Sequence, residues 1–182
     1  MYKVYGDSKS GNCYKIKLLL HQLKVPFEWY EVNVLQGETH TEEFLAKNPS
    51  GKIPVLETPE GDFLSESNAI LWYLAEDSNF IPKSRLGRQR VLQWQFFEQY
   101  SHEPFIATAR FIVKYLNQEE EQKEVLQEKR RGGYQALDVM EKELATRAFI
   151  SGEQYTIADI SLYAYTHVAL SLIHISEPTR PY

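Results

Sequence analysis

A single cysteine, Cys13, stands among 182 residues, so no disulfide can close within the chain. That scarcity suits a reducing compartment, and a cytoplasmic location is expected. No apolar run approaches the ~20 residues that span a bilayer, so no membrane segment is expected. Met1-Tyr2-Lys3-Val4-Tyr5 enters a strand pattern at once, without the charged and apolar regions of a signal peptide. Positive charge is also in deficit: 20 basic against 25 acidic residues give a net charge of −5. Nucleic acid would need a clustered basic face. The one basic cluster, Lys129-Arg130-Arg131, follows Glu119, Glu120, Glu121, Glu124 and Glu128, and reads as a solvated helix face with opposite-charge pairs. No metal is expected either. What is present is an ordinary globular composition, 43% hydrophobic and 25% charged, long enough to bury a core in one large or two small domains.

The first eighty residues alternate strand and helix. Residues 2–5 read as a strand and 8–12 as a loop. Ile16, Leu19, Leu20 and Leu23 then form one apolar stripe of a helix, which Val25-Pro26 ends. Tyr30, Val32 and Val34 alternate as a second strand. Thr39-His40-Thr41-Glu42 has capping-box spacing ahead of a short helix carrying Phe44 and Leu45. Residues 55–57 and 63–64 flank the turn Pro59-Glu60-Gly61-Asp62 as a hairpin, and Ser65-Glu66-Ser67 precedes a helix with Ile70, Tyr73 and Leu74 inward. The order is βαβαββα. Beyond Asn79 strand signals vanish, and helical patterns cover roughly 86–116 and 120–146. The expected class is therefore an α/β domain over 1–78, a linker over 79–87 and an all-α domain over 88–169. Gly132-Gly133 inside the second helical pattern marks either a bend or a close helix crossing.

Three segments of the first domain could carry chemistry. Ser10 lies just before a helix N-terminus, where free amides and the dipole favour negative charge; its hydroxyl could stabilise a thiolate or could simply cap the helix. Pro54 stands at the start of a strand, within Gly51-Lys52-Ile53-Pro54-Val55. A cis Ile53-Pro54 bond would turn the Ile53 amide and carbonyl outward to pair with an extended peptide, whereas a trans bond would make an ordinary turn. At Glu66-Ser67, helix-end amides and the Ser67 hydroxyl suit a carboxylate while the Glu66 carboxylate suits an ammonium; a plain helix cap is the alternative.

Ser10 with its downstream helix, Lys52-Ile53-Pro54, and Leu64-Ser65-Glu66-Ser67-Asn68-Ala69-Ile70 resemble, in order and spacing, the thioredoxin-like domain of cytosolic glutathione transferases. Tyr155-Thr156-Ile157-Ala158-Asp159-Ile160 is similar to the capping box and hydrophobic staple of that family's helical domain. The resemblance implies a thioredoxin-like domain followed by a helical domain, and reduced glutathione as co-substrate. It also implies a homodimer and attack of the glutathione thiolate on a small hydrophobic electrophile. Ser10 would activate the sulfur, as in the serine-type members, with Asn12 and Tyr5 as runners-up. Ile53, Pro54, Glu66 and Ser67 would hold the tripeptide, and Lys52 and His40 match positions that contact its glycine carboxylate. The family places an apolar cleft between its domains, for which Tyr100, Phe105, Phe111 and Tyr115 are candidates. Cys13, one helical turn in, reads as a small buried hydrophobe. Two alternatives accompany this reading: a glutathione-dependent disulfide reductase on the same scaffold, and a non-enzymatic interaction protein of this fold.

The segment from Leu170 to the end resembles the translation of a transposon-end sequencing adaptor, so residues 170–182 are expected to be a non-native tail replacing further helices. On that expectation the helix after Thr156 leaves Ile160, Leu162 and Val168 exposed, and the chain is poorly stable or insoluble.

Overall fold

The computed structural model describes residues 1–173, so the expected tail lies outside the described residues from position 174 onward. The chain divides into two compact units, Met1–Arg88 and a second beginning at Gln89.

In the first unit the order is β1 (Tyr2–Gly6), α1 (Gly11–Leu23), β2 (Phe27–Glu31), α2 (Glu42–Lys47), β3 (Val55–Glu57), β4 (Phe63–Leu64) and α3 (Ser67–Ala75), the expected βαβαββα. The sheet runs β2-β1-β3-β4, with β1 parallel to β2 and the other two pairings antiparallel. One face holds Val32, Phe44 and Val55, with Tyr5 and Ile53 packed against them. Val4 and Leu56, opposite each other on the β1–β3 ladder, are fully buried, as are Ile16, Leu19 and Leu20 of α1 and Ile70 and Leu71 of α3. Helices α1 and α3 pack on one another.

Three local expectations shift. Tyr73, expected inward on α3, is exposed. The second strand is Phe27–Glu31, and Val34 belongs to a 3-10 turn, Val34–Gln36. Every residue of β2 is at least partly exposed, so this edge strand carries no buried alternation to read. Thr41, and not Thr39, caps α2, its hydroxyl accepting from the Phe44 amide at 3.2 Å.

The second unit is helical. The expected first long helix is α4 (Arg85–Phe97, beginning in the first unit) and α5 (Glu103–Arg110), separated by a π-helical turn, Glu98–His102, and followed by another, Phe111–Leu116. Pro104 sits in the first turn of α5, and the preceding ladder slips to a Glu103 amide donating to the Glu98 carbonyl. The wider π turn accommodates a residue that has no N–H to offer and whose ring crowds the turn before it. Helix α6 (Lys123–Leu144) is unbroken through Gly132 and Gly133, and Gly132 marks a close crossing: a Cβ there would collide with the Phe105 ring.

Helix α7 (Ile157–Ile173) opens as expected from a capping box. The Asp159 carboxylate accepts from the Thr156 amide at 2.8 Å and the Thr156 hydroxyl at 3.1 Å, and its second oxygen accepts from the Ile150 amide at 2.9 Å. The Thr156 hydroxyl in turn accepts from the Ala158 amide at 3.2 Å. The Tyr155 ring meets Phe149 edge-on. The expected exposure of this helix does not occur. Ile160 and Leu162 are buried, and Val168 packs with Tyr165 and Ala169 against Ile106, Ala109, Ile112, Val113 and Leu126. Helices α5 and α6 and the π turn between them thus cover the Tyr165, Val168 and Ala169 side of α7.

Candidate active site

Sheet register brings the three segments together. β1 leaves the sheet at Gly6 and leads through the loop 7–10 into α1. Val55 lies opposite Tyr5, so Ile53 and Pro54 fall beside that exit. Leu64 lies opposite Leu56, so β4 delivers Ser65, Glu66 and Ser67 to the same end of the sheet.

Ser10 is the N-cap of α1, its Oγ accepting from the Cys13 amide at 3.4 Å. Capping uses an oxygen lone pair, so it leaves the hydroxyl its capacity to donate. Cys13 beneath it is fully buried. Burial pushes the Cys13 thiol up to about 12 against the opposing pull of the Ser10 hydroxyl, so it stays protonated at neutral pH.

The Ile53-Pro54 bond is cis. Among the described residues no bond within the chain uses the Ile53 amide or carbonyl, and β3 begins two residues later. The loop before it is held by Asn48, which is 3% exposed: Nδ2 donates to the Lys52 carbonyl at 2.7 Å, while Oδ1 accepts from the Ser50 amide at 3.1 Å and hydroxyl at 2.9 Å. Gly51 adopts φ +63° with the His40 ring 3.0 Å from where a Cβ would stand, so His40 lies against this loop and only glycine fits without strain. Lys52 and His40 are both exposed.

Glu66 is exposed and sits at the N-cap of α3 with φ 65° and ψ 107°, a conformation costly for a residue with a Cβ. Its side chain makes no cap bond. Ser67 is buried at the first turn, its hydroxyl donating to Asn12 Oδ1 at 3.3 Å and accepting from Lys15 Nζ at 3.2 Å. Asn12 thus joins the Ser67 end of the site directly.

Tyr5 points elsewhere. Its hydroxyl donates to Glu57 at 2.6 Å, its ring stacks on Tyr30 at 5.0 Å, and Lys3 completes the group on Glu57 at 2.7 Å. Burial and the Glu57 carboxylate hold the Tyr5 phenol well above its ordinary range. In the second unit, Tyr100 is 79% exposed, Phe111 and Tyr115 stack at 5.1 Å, and Phe105 lies against Gly132 beneath the Lys129 ammonium.

Sequence reasoning missed Lys15, Asn48 and the backbone of Glu66. Asn48-Pro49-Ser50-Gly51 was legible as turn chemistry; nothing local marks Lys15 as buried.

Residues 10–77 match the model for the glutathione S-transferase N-terminal domain, and residues 99–177 match that for the C-terminal domain. The chain belongs to the glutathione transferase family. A glutathione S-transferase from Pseudomonas fluorescens Pf-5 has 61% sequence identity and superposes with a TM-score of 0.91 over 92% of this chain and 84% of its own. A second family member from that organism, solved with two glutathione molecules bound, has 29% identity and a TM-score of 0.82 over 94% of this chain and 78% of its own. Glutathione S-transferase F13 of Arabidopsis thaliana is 30% identical over 94% of this chain and 82% of its own length. Elongation factor 1-gamma of Drosophila melanogaster is 33% identical over 78% of this chain but only 31% of itself. This family member has the thioredoxin-like sheet domain and helical domain of its family, and among its described residues no helix is long and apolar enough to cross a membrane.

Proposed function

We propose that this chain conjugates the thiolate of reduced glutathione to small hydrophobic electrophiles. The observation that carries the reading is the meeting of Ser10, the Ile53 main chain and Glu66-Ser67 at one end of one sheet. The tripeptide lies extended along Ile53, pairing as an added strand. Its γ-glutamyl carboxylate takes the Ser67 hydroxyl and α3 amides, and its ammonium takes Glu66. Lys52 and His40 face the glycine carboxylate. The Ser10 hydroxyl donates to the sulfur and favours the thiolate, releasing the thiol proton to solvent. The sulfur lone pair then forms the bond to the electrophilic carbon as the leaving group departs with its electrons. Positioning and a fixed donor supply the rate, without a covalent enzyme intermediate. Residues 1–78 form the glutathione domain, 79–87 the linker, and 88–169 the helical domain. Of the four aromatic candidates there, Phe111 and Tyr115, stacked and partly exposed, are the better electrophile contacts. A homodimer in the cytoplasm completes the proposal.

Calorimetry with glutathione and a rate assay with chlorodinitrobenzene test it. Ser10→Ala should keep glutathione affinity, lower the rate by roughly 10²-fold and move the pH profile upward. Unchanged conjugation would make Ser10 the wrong activator. The likeness to elongation factor 1-gamma supports one competing reading, a non-enzymatic interaction protein, and an absence of glutathione binding would favour it. A disulfide reductase working through Cys13 is disfavoured by that thiol's burial.

A further inference from the structure

Glu31 ends β2 directly opposite Gly6, where β1 gives way to the loop that carries Ser10. Main chain joins the two strands there, the Val32 amide donating to the Gly6 carbonyl at 2.9 Å. The Glu31 side chain carries the join one step further, into the loop. Its Oε1 accepts from the Ser8 amide at 2.9 Å and the Ser8 hydroxyl at 3.0 Å, and its Oε2 accepts from the Trp29 indole at 2.7 Å. Trp29 is braced in turn. Its ring edge stands 3.3 Å from where a Cβ on Gly6 would be, and the Lys17 ammonium lies over its face. Burial opposes the ionisation of Glu31, but the Ser8 amide, the Trp29 indole, the Ser8 hydroxyl and the Lys17 ammonium together hold its carboxyl below the ordinary value. The bonds to Ser8 are therefore charge-assisted at neutral pH. From Ser8 the path to Ser10 is short: the Lys9 amide donates to Asp7 Oδ1 at 2.7 Å, and the Ser10 amide to the Asp7 carbonyl at 3.0 Å. Ser8 and Lys9 are exposed, so bonding more than packing sets this path.

Resting on the glutathione reading above, we propose that Glu31 is a positioning residue for the conjugation step, a strut from β2 that holds the loop where the Ser10 hydroxyl meets the sulfur. Glu31 touches no substrate; it acts through Ser8 on Ser10. Ile53, Glu66 and Ser67 stand on other segments, beside β3 and after β4. Loosening the strut therefore reaches the sulfur and spares the grip on the rest of the tripeptide.

The test uses the full chain, with rates on chlorodinitrobenzene, calorimetry with glutathione, and a pH titration of the ultraviolet absorption of the bound thiolate. Glu31→Ala should leave glutathione affinity within about twofold and lower kcat roughly tenfold or more, the scale of a misplaced reacting group. The thiolate midpoint should move upward, because the sulfur loses its donor. Removing a negative charge alone would move it downward, so the sign separates lost positioning from lost charge. Glu31→Gln discards the charge but keeps an oxygen for Ser8, and should recover most of the rate and the midpoint. In a Ser10→Ala background, Glu31→Ala should add little. A midpoint that stays or falls in Glu31→Ala, a glutamine variant as slow as the alanine, or full additivity with Ser10→Ala would overturn the inference while leaving the glutathione reading intact. An unchanged rate in Ser10→Ala, or no binding of glutathione by the wild-type chain, would overturn that reading and the inference with it. Glu31 is exposed, so both variants should fold. If the alanine variant does not, Glu31→Thr, β-branched for a strand and too short to reach Ser8, is held to the same criteria.

Discussion

Gly132 on α6 faces the ring of Phe105 on α5 so closely that only a hydrogen fits between them. In an exposed helix, Gly→Ala gains about 1 kcal/mol. Here the added methyl meets an aromatic ring in a packed crossing, where overpacking costs about 1–3 kcal/mol. Gly132→Ala should therefore lower the thermal midpoint by several degrees, and Phe105→Leu in the same chain should recover part of the loss. A midpoint that rises in the single variant would contradict the crossing.

Asp159 accepts three bonds that tie the start of α7 to the loop before it. Asp159→Ala strands the amides of Thr156 and Ile150. The expected loss is about 2 kcal/mol or more, combining a cap with unsatisfied buried donors. Urea denaturation reads it as a lower midpoint at an unchanged slope.

Burial raises the Cys13 thiol from its ordinary 9.0 to about 12. As pH rises between those values the unfolded chain releases the proton first, so unfolding is favoured. The contribution of the protonated thiol is complete below pH 9 and drains away as pH climbs toward 12. Comparing wild type with Cys13→Ala between pH 8 and 10.5, the variant should show the shallower alkaline decline. In the folded protein at pH 8 the thiol should also resist an aromatic disulfide reagent, and react once urea is added.

Glu66 holds a left-handed backbone that glycine adopts freely. Glu66→Gly and Glu66→Ala should both weaken glutathione binding, because both remove the carboxylate. Only the alanine variant keeps a Cβ in the strained conformation, so the glycine variant should be the more stable by about 1 kcal/mol. Equal thermal midpoints would show that the backbone relaxes at no cost.

Much of this is legible in the sequence. The stripe of α1, the hairpin turn and the Thr156–Asp159 box are short-range patterns whose partners lie within a few residues. Elements defined by distant partners were not. Lys15 sits between Tyr14 and Ile16 like any helix-surface lysine, yet it is fully buried with its ammonium on Ser67 of α3. Gly132 reads as a weak point in a helix until Phe105, 27 positions earlier, is placed beside it. The second strand slipped because its alternation belongs to an exposed edge. Of the site, Ser10, Pro54 and Ser67 were found as residue types at fixed spacing, whereas the bridge from Ser67 to Asn12 spans 55 positions and no local pattern announces it.

The peptide-holding segments hang from β1, β3 and β4, which are neighbours in one sheet. Adjacent strands stand about 4.8 Å apart, so the distance from the Ser10 end to the Glu66 end is set by two such steps, close to 10 Å. Hydrogen-bonded main chain thus serves as a ruler laid across the pocket. Exchanging side chains alters how firmly a ligand is gripped at either mark. Changing the length of peptide that fits would take a different strand order.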